Sequence, residues 1–209
     1  MFRYIALLLV STGIAAGGLF SFKKRGPQYE RLQTGDIVFQ DTGGEQGAAV
    51  KAATGSTYTH CGVVFEQDGK LYVLEAVQPV SVVTLDNFRK RSRIFHARRL
   101  QDQSKLNQKA LQKALNWGRS QLGKDYDLMF QWDDETLYCS ELVWKIYKKS
   151  TDLELCQPKT FKSYFLDRPE VRRVIAQRYG DPGKMPAKEP VVAPSDLAAS
   201  PLLEEVPRR

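Results

Sequence analysis

Apolar residues recur along this chain at two spacings, and each predicts its own kind of element. Leu142, Val143, Ile146 and Tyr147 fall at helical intervals, so residues 138–147 are expected to form a short polar entry and then a helix with one buried face. Residues 104–122 are expected to form a second helix: Leu106, Ala110, Leu111, Ala114, Leu115 and Leu122 make its stripe, Ser104 can cap it and Gly123 ends it. Residues 167–179 give a third. A different period governs residues 57–66 and 70–77, which are β-branched and aromatic and are separated by the turn signal Gln67-Asp68-Gly69. They predict a β-hairpin. A turn and short apolar strand are expected over 34–40, a loop over the Gly-rich 41–47, a short helix over 48–54, further strands over 79–84 and 94–99, and a helical turn over 85–90. The mixture is α+β, with no internal repeat.

Two segments stand apart. Residues 4–22 are uncharged and rich in Leu, Ile, Ala and Gly, and Lys23-Lys24-Arg25 follows them. Gly13 and Ala15 have the spacing of an export-signal cleavage site, while the run is also just long enough to span a bilayer. Residues 1–25 are therefore expected to be a signal peptide or membrane anchor, with the protein in the cell envelope, periplasmic or extracytoplasmic. Residues 26–180 are expected to form the folded domain. The Pro-rich remainder, 181–209, is expected to be an extended C-terminal segment, either a tail or wrapped on the body.

Charge narrows the choice of partners. A net charge of +7 spread over 209 residues, without a basic helix or interleaved basic and aromatic residues, excludes a nucleic-acid reading. The membrane, through the N-terminal segment, remains an expected partner. Three cysteines leave one unpaired whatever pairs, and no Cys-x-x-Cys occurs. His60 and His96 are the only histidines, so close ligand pairs for structural zinc are missing; no metal and no cofactor are expected. His96 reads as a structural histidine, and Asp133, Asp134 and Glu135 as an exposed acidic loop rather than a metal site.

The candidate chemistry starts at Cys139. In the first turn of its helix it faces unpaired N–H groups and the positive dipole end, both of which favour thiolate; the alternative is a small core residue. On the hairpin, pairing through an even-numbered loop places His60 and Glu75 on one face. They stand directly opposite if Gln67-Asp68 is the turn, and diagonally if it is Asp68-Gly69. A carboxylate there would orient the imidazole, or the two could form a rim ion pair. Cys61 points to the other face, so its sulfur does not meet the His60 ring and it is expected in the core.

Taken in order, Gly35-Asp36-Ile37-Val38-Phe39-Gln40, Thr59-His60-Cys61-Gly62, Leu74-Glu75-Ala76-Val77-Gln78-Pro79-Val80, Gly123-Lys124-Asp125-Tyr126-Asp127 and Tyr138-Cys139-Ser140-Glu141-Leu142-Val143-Trp144 resemble the permuted papain-like cysteine hydrolases of the YiiX/YaeF group, relatives of NlpC-type peptidases. The resemblance runs over about residues 34–147, and Val191-Val192-Ala193-Pro194 is similar to the group's C-terminal segment. It implies a circularly permuted papain-like fold, an antiparallel sheet packed with helices and the nucleophile at a helix N-terminus. It also implies Cys139 as nucleophile, His60 as base and Glu75 as orienting residue. Cys61 departs from the pattern by adding a second thiol near the site.

The expected activity is amide or ester hydrolysis through an acyl-enzyme on an envelope substrate such as a peptidoglycan peptide. The alternatives are a lipid-directed acyl hydrolase or acyltransferase, and a non-catalytic binding module. The Cys139 backbone N–H is the natural first oxyanion donor, with Gln40 and Tyr138 as candidates for the second.

Overall fold

A computed structural model describes residues 32–207. The expectations for residues 1–25 lie outside the described residues. Among those described, no helix is long and apolar enough to cross a membrane.

A six-stranded antiparallel sheet forms the centre. β1 (Ile37–Gln40) is followed by β2 (His60–Gln67), β3 (Lys70–Glu75), β4 (Ser81–Thr84), β5 (Phe95–Leu100) and β8 (Leu203–Glu205), in the spatial order β4-β3-β2-β1-β5-β8. β1 lies in the middle and all four of its residues are buried, which is why its sequence is a continuous apolar run closed by Gln40 instead of an alternation. Odd-numbered Ile37, Phe39, Cys61 and Val63 pack on one face, with Leu74 and Ala76 of the neighbouring strand. Val38, Val64, Val73, Phe95 and Ala97 pack on the other.

Asp68 and Gly69 both adopt left-handed φ, 52° and 72°, and make a two-residue turn whose twist matches the hairpin. Gln67 therefore pairs with Lys70 and Val63 with Leu74. This is the diagonal alternative for His60 and Glu75. Glu75 lies across from Gly62, where an added Cβ would meet Val73 Cγ1 at 2.5 Å and the Leu74 carbonyl oxygen at 2.8 Å. Glycine at 62 lets β3 approach closely enough to bring Glu75 under His60.

α4 (Cys139–Thr151) lies on the odd-numbered face of β1 and β2 and buries Leu142, Val143, Ile146 and Tyr147 completely or nearly so. Each such side chain stabilises the fold by roughly 1.5–3 kcal/mol relative to exposure. Its entry is fixed by the Glu141 carboxylate, which accepts from the Tyr138 N–H at 3.4 Å; its end is Asp152 at φ 61°, with Lys148 and Lys149 in the last turn. α2 (Leu85–Lys90) covers the other face with Phe88, and its Thr84 cap accepts from the Asn87 N–H. α3 (Gln108–Ser120) packs beside α4.

Two element boundaries differ from expectation. α1 (Gly44–Thr54) begins inside the Gly-rich stretch expected as loop, because Gly43 and Gly44 take φ of 67° and 69° and turn the chain directly into the helix. The long helix expected over 104–122 is broken. A 3₁₀ turn, Gln103–Leu106, is capped by Asp102, and α3 then starts afresh with Asn107 accepting from the Ala110 N–H; Ser104 caps neither.

After α5 (Pro169–Tyr179), which packs on α1, the chain runs extended over the body. β7 (Pro190–Val191) pairs with β6 (Lys159–Thr160), α6 (Pro194–Ala198) follows, and β8 closes the sheet against β5. Two bonds pin this strap to the start of α4. Ser140 Oγ donates to the Val192 carbonyl at 2.7 Å, and the Val192 N–H donates to the Tyr138 hydroxyl at 3.2 Å.

Candidate active site

The strand period puts His60 and Glu75 on the α2 face and Cys61 on the α4 face, while His60, as the first residue of β2, stands at the strand end beside the tip of α4. His60 Nε2 donates to Glu75 Oε2 at 2.6 Å, which leaves Nδ1 as the ring nitrogen free to exchange a proton with Cys139. The other Glu75 oxygen accepts from Arg91 Nη2 at 2.5 Å. Phe88 braces both partners: its ring stacks on the imidazole with centroids 5.8 Å apart, and the Arg91 guanidinium sits 5.1 Å from its centre. Glu75 is thus fully buried with both oxygens bonded to cationic or proton-donating groups.

The electrostatics form one consistent set. The Cys139 thiol lies well below its ordinary value: the hydrogen bond from the Cys61 thiol lowers it most, burial opposes, and the charge and hydrogen bond of His60 and the Cys61 N–H lower it further. Burial would lower His60, yet the Cys139 thiolate and the Glu75 carboxylate raise it to about 9. Burial would raise Glu75, yet its bonds to His60 and Arg91 hold it below the usual range. Burial, with the charge of Cys139 beside it, pushes the Cys61 thiol well up, so it stays protonated and donates. The arrangement is a thiolate–imidazolium pair backed by an ionised carboxylate, able to attack a carbonyl and to return a proton to a leaving group.

The structure brings Cys139, His60 and Glu75 together and places the two remaining candidates differently. Gln40 is fully buried, is paired with His60 across the β1–β2 ladder, and does not line the pocket at Cys139. Tyr138 lines that pocket, with its hydroxyl turned to the Val192 N–H. Cys61 is the expected core residue, and its sulfur bears on Cys139 rather than on His60. His96 is buried with Nδ1 3.8 Å from Glu205 Oε1, and the acidic loop is spent on Lys145, Lys149 and its own turn. Arg91 was not foreseen. It lies in a basic run, Arg89-Lys90-Arg91-Ser92-Arg93, and no local pattern singles it out.

The pocket at Cys139 has a volume of about 110 Å³, several times the ~30 Å³ share of one water, and opens between α1, α5 and the strap. Ala49, Val50, Phe130, Val171, Ile175 and Val192 make its walls apolar, and Arg178 is the cation among its lining residues.

A cysteine-bearing helix packed on an antiparallel sheet whose histidine strand comes earlier in the chain is the layout of a papain-like enzyme with permuted order. The chain belongs to the permuted papain-like amidase family YaeF/YiiX, C92, which it matches over residues 31–207. It is similar to the uncharacterized protein YiiX of Escherichia coli strain K12, with 34% identity over 181 residues, 83% of this chain and 85% of that one. Among solved structures it is similar to the crystal structure described as metalloprotein yiiX from Escherichia coli O157:H7, at TM-score 0.78 and 34% identity, covering 85% of this chain and 97% of that one.

Proposed function

We propose that this amidase-family enzyme is a cysteine hydrolase that cleaves an amide or ester bond of a cell-envelope substrate through Cys139, His60 and Glu75. The Cys139 thiolate attacks the carbonyl carbon, and the C=O electron pair moves onto oxygen. Collapse of that oxyanion expels the amine or alcohol, which takes the proton held on His60. Water then attacks the thioester while His60 accepts its proton; the acid leaves and the thiol pair is restored. Glu75 orients the ring and supports its charged form throughout. The observation that carries this reading is the 2.6 Å bond from His60 Nε2 to a fully buried Glu75, which commits Nδ1 to the thiol.

A second reading, hydrolysis or transfer of a lipid acyl group, is favoured by one feature. The wall beside Cys139 is apolar and suits an aliphatic acyl group better than a charged peptide. Mixed panels of muropeptides, aryl amides and short and long acyl esters, with Cys139→Ala as blank, test both. Release of amine from muropeptides supports the first reading and release of fatty acid the second; turnover persisting in Cys139→Ala contradicts both.

The similar Escherichia coli protein is a metalloprotein, so the fit of a metal to this site is tested on the residues present. The described residues do not fit one: no group of three or more of their His, Cys, Asp and Glu side chains is arranged to hold a metal ion, and both Glu75 oxygens are committed to His60 and Arg91. No step above is routed through a metal.

A further inference from the structure

The mechanism above uses one sulfur, and the fold sets a second against it. Cys61 follows His60 in β2, so the strand period turns it to the opposite face, toward the first turn of α4. It pairs with Phe39 of β1 and lies with Cys139 in one core cluster, where α4 packs on β2. Its thiol and its backbone N–H both donate to the Cys139 sulfur, so the two sulfur atoms are in contact, and neither is bound in a disulfide.

Access and charge give the two sulfurs different roles. Cys139 lines the open pocket, whereas Cys61 is fully buried and does not. A small oxidant therefore meets Cys139 first, and meets it as a thiolate, the form that peroxides oxidise. Cys61 is held protonated by burial and by the charge of Cys139. Oxidation of Cys139 removes that charge and leaves an electrophilic sulfur against the Cys61 thiol. A disulfide needs the sulfurs to close to about 2 Å, and the capping bond at the entry of α4, from the Tyr138 N–H to Glu141, is a long one at 3.4 Å. Cys156 is half-buried and does not line the pocket, and its carbonyl accepts from Trp144 Nε1 at 2.8 Å.

We infer that Cys139 and Cys61 form a peroxide-responsive dithiol, in which Cys61 captures the oxidised Cys139 as an intramolecular disulfide and so closes the site reversibly. In the first step the Cys139 thiolate attacks one peroxide oxygen and the O–O bond breaks. Sulfur is oxidised by two electrons to the sulfenic acid, and the departing hydroxide takes the proton held on His60 and leaves as water. In the second step the Cys61 sulfur attacks the sulfenic sulfur and the S–S bond forms. The S–O bond breaks, and the hydroxyl takes the Cys61 thiol proton and leaves as a second water. An external dithiol returns both thiols. The pairing of the sulfurs goes beyond the hydrolase reading and does not depend on it; only the accompanying loss of turnover does.

The test treats the full chain with hydrogen peroxide and reads free thiols in denaturant together with peptide mass mapping. The parent is expected to fall from three free thiols to one, to yield a reductant-cleavable link between the Cys61 and Cys139 peptides, and to regain all three thiols with dithiothreitol. Cys61→Ser keeps a donor to Cys139 but cannot form the link. Its Cys139 is expected to be trapped by dimedone and then to pass to the sulfinic acid, a loss that dithiothreitol does not reverse. Cys156→Ser is expected to behave as the parent does. A parent that keeps all its thiols, passes straight to the sulfinic acid at Cys139, or links Cys139 to Cys156 or to a second copy overturns the inference, as does full recovery in Cys61→Ser. The linkage mapped in the parent decides the question even where a variant fails to fold. The hydrolase reading fails on a different result, a reduced parent that is acylated by no ester or amide.

Discussion

Glu75 and Glu141 are both sealed from solvent close to Cys139, yet they take opposite charge states. Glu75 lies below the usual carboxylate range. For Glu141 burial dominates and, with the negative Asp127 nearby, its bonds to Lys145 and the Tyr138 N–H fail to compensate, so its value rises to about 8. The difference lies in the partners. Glu75 has one short bond per oxygen, 2.6 Å from His60 and 2.5 Å from Arg91. Glu141 has Lys145 at 2.8 Å, which also serves Asp134 at 2.8 Å and the Asp133 carbonyl, and a long 3.4 Å bond from the Tyr138 N–H. Burial with one long bond and one shared cation neutralises an acid; burial with a short bond on each oxygen keeps it ionised. In the proposed mechanism the first acid supports chemistry, whereas the second shapes a helix entry.

The contrast breaks most visibly at Glu75. Replacing it with Gln keeps the volume and removes the charge, so His60 loses support for its protonated form; kcat/KM is expected to fall by about 10²–10⁴-fold, and the alkaline limb near pH 9 to move down. Steady-state pH profiles read this, and an unshifted limb contradicts the role given to Glu75. A smaller loss, about tenfold in kcat/KM, is expected for Arg91→Gln, which frees one Glu75 oxygen but leaves the His60 bond. Parent-like kinetics there would show that His60 alone holds the carboxylate ionised.

Gly62→Ala attacks the same acid through the backbone. With a Cβ 2.5 Å from Val73 Cγ1 and 2.8 Å from the Leu74 carbonyl oxygen, β3 must move, and Glu75 with it. Chemical denaturation should show a loss of about 1–3 kcal/mol, accompanied by reduced turnover; an unchanged midpoint would mean that the strand adapts freely.

The smallest effect on activity is expected at Glu141→Gln, within about threefold at pH 7, because Gln imitates the protonated acid already present. Its signature is in stability. A folded-state value of about 8 against the ordinary 4.5 means that the native state binds the extra proton between those pH values, so Glu141 costs the parent stability as pH rises from 4.5 through 8. The variant should melt higher than the parent above pH 8 and its stability should depend less on pH over that window. His60 acts with the other sign of charge. Raised from 6.5 to about 9, it contributes stability that is fully present below 6.5 and lost as pH rises through 9, a loss both proteins should share.

How much of this was legible in the sequence follows from the range of each interaction. The Cys139 helix and the hairpin were readable because period and turn chemistry are local, and the two-residue alternatives for the turn already contained the observed diagonal placement of Glu75. The start of α1 was not, since two glycines read as loop until their φ values are known. Asn107 and Ser104 are both good caps, and only packing decides that α3 begins after the first. Arg91 was illegible as a site residue for a stronger reason: it acquires its place from a partner elsewhere in the chain, Glu75. The strap is similar, for nothing in Leu203-Glu204-Glu205 announces a strand until β5 lies beside it.

The claim on which the rest depends is that Cys139 is a thiolate at neutral pH, and the rate of its alkylation by iodoacetamide as a function of pH, followed by peptide mass mapping, measures that directly. The expected result is selective labelling of Cys139, over Cys61 and Cys156, with a midpoint far below the ordinary thiol value of about 8.5. A single rise near 8.5, or labelling of Cys61 or Cys156 before Cys139, would contradict it.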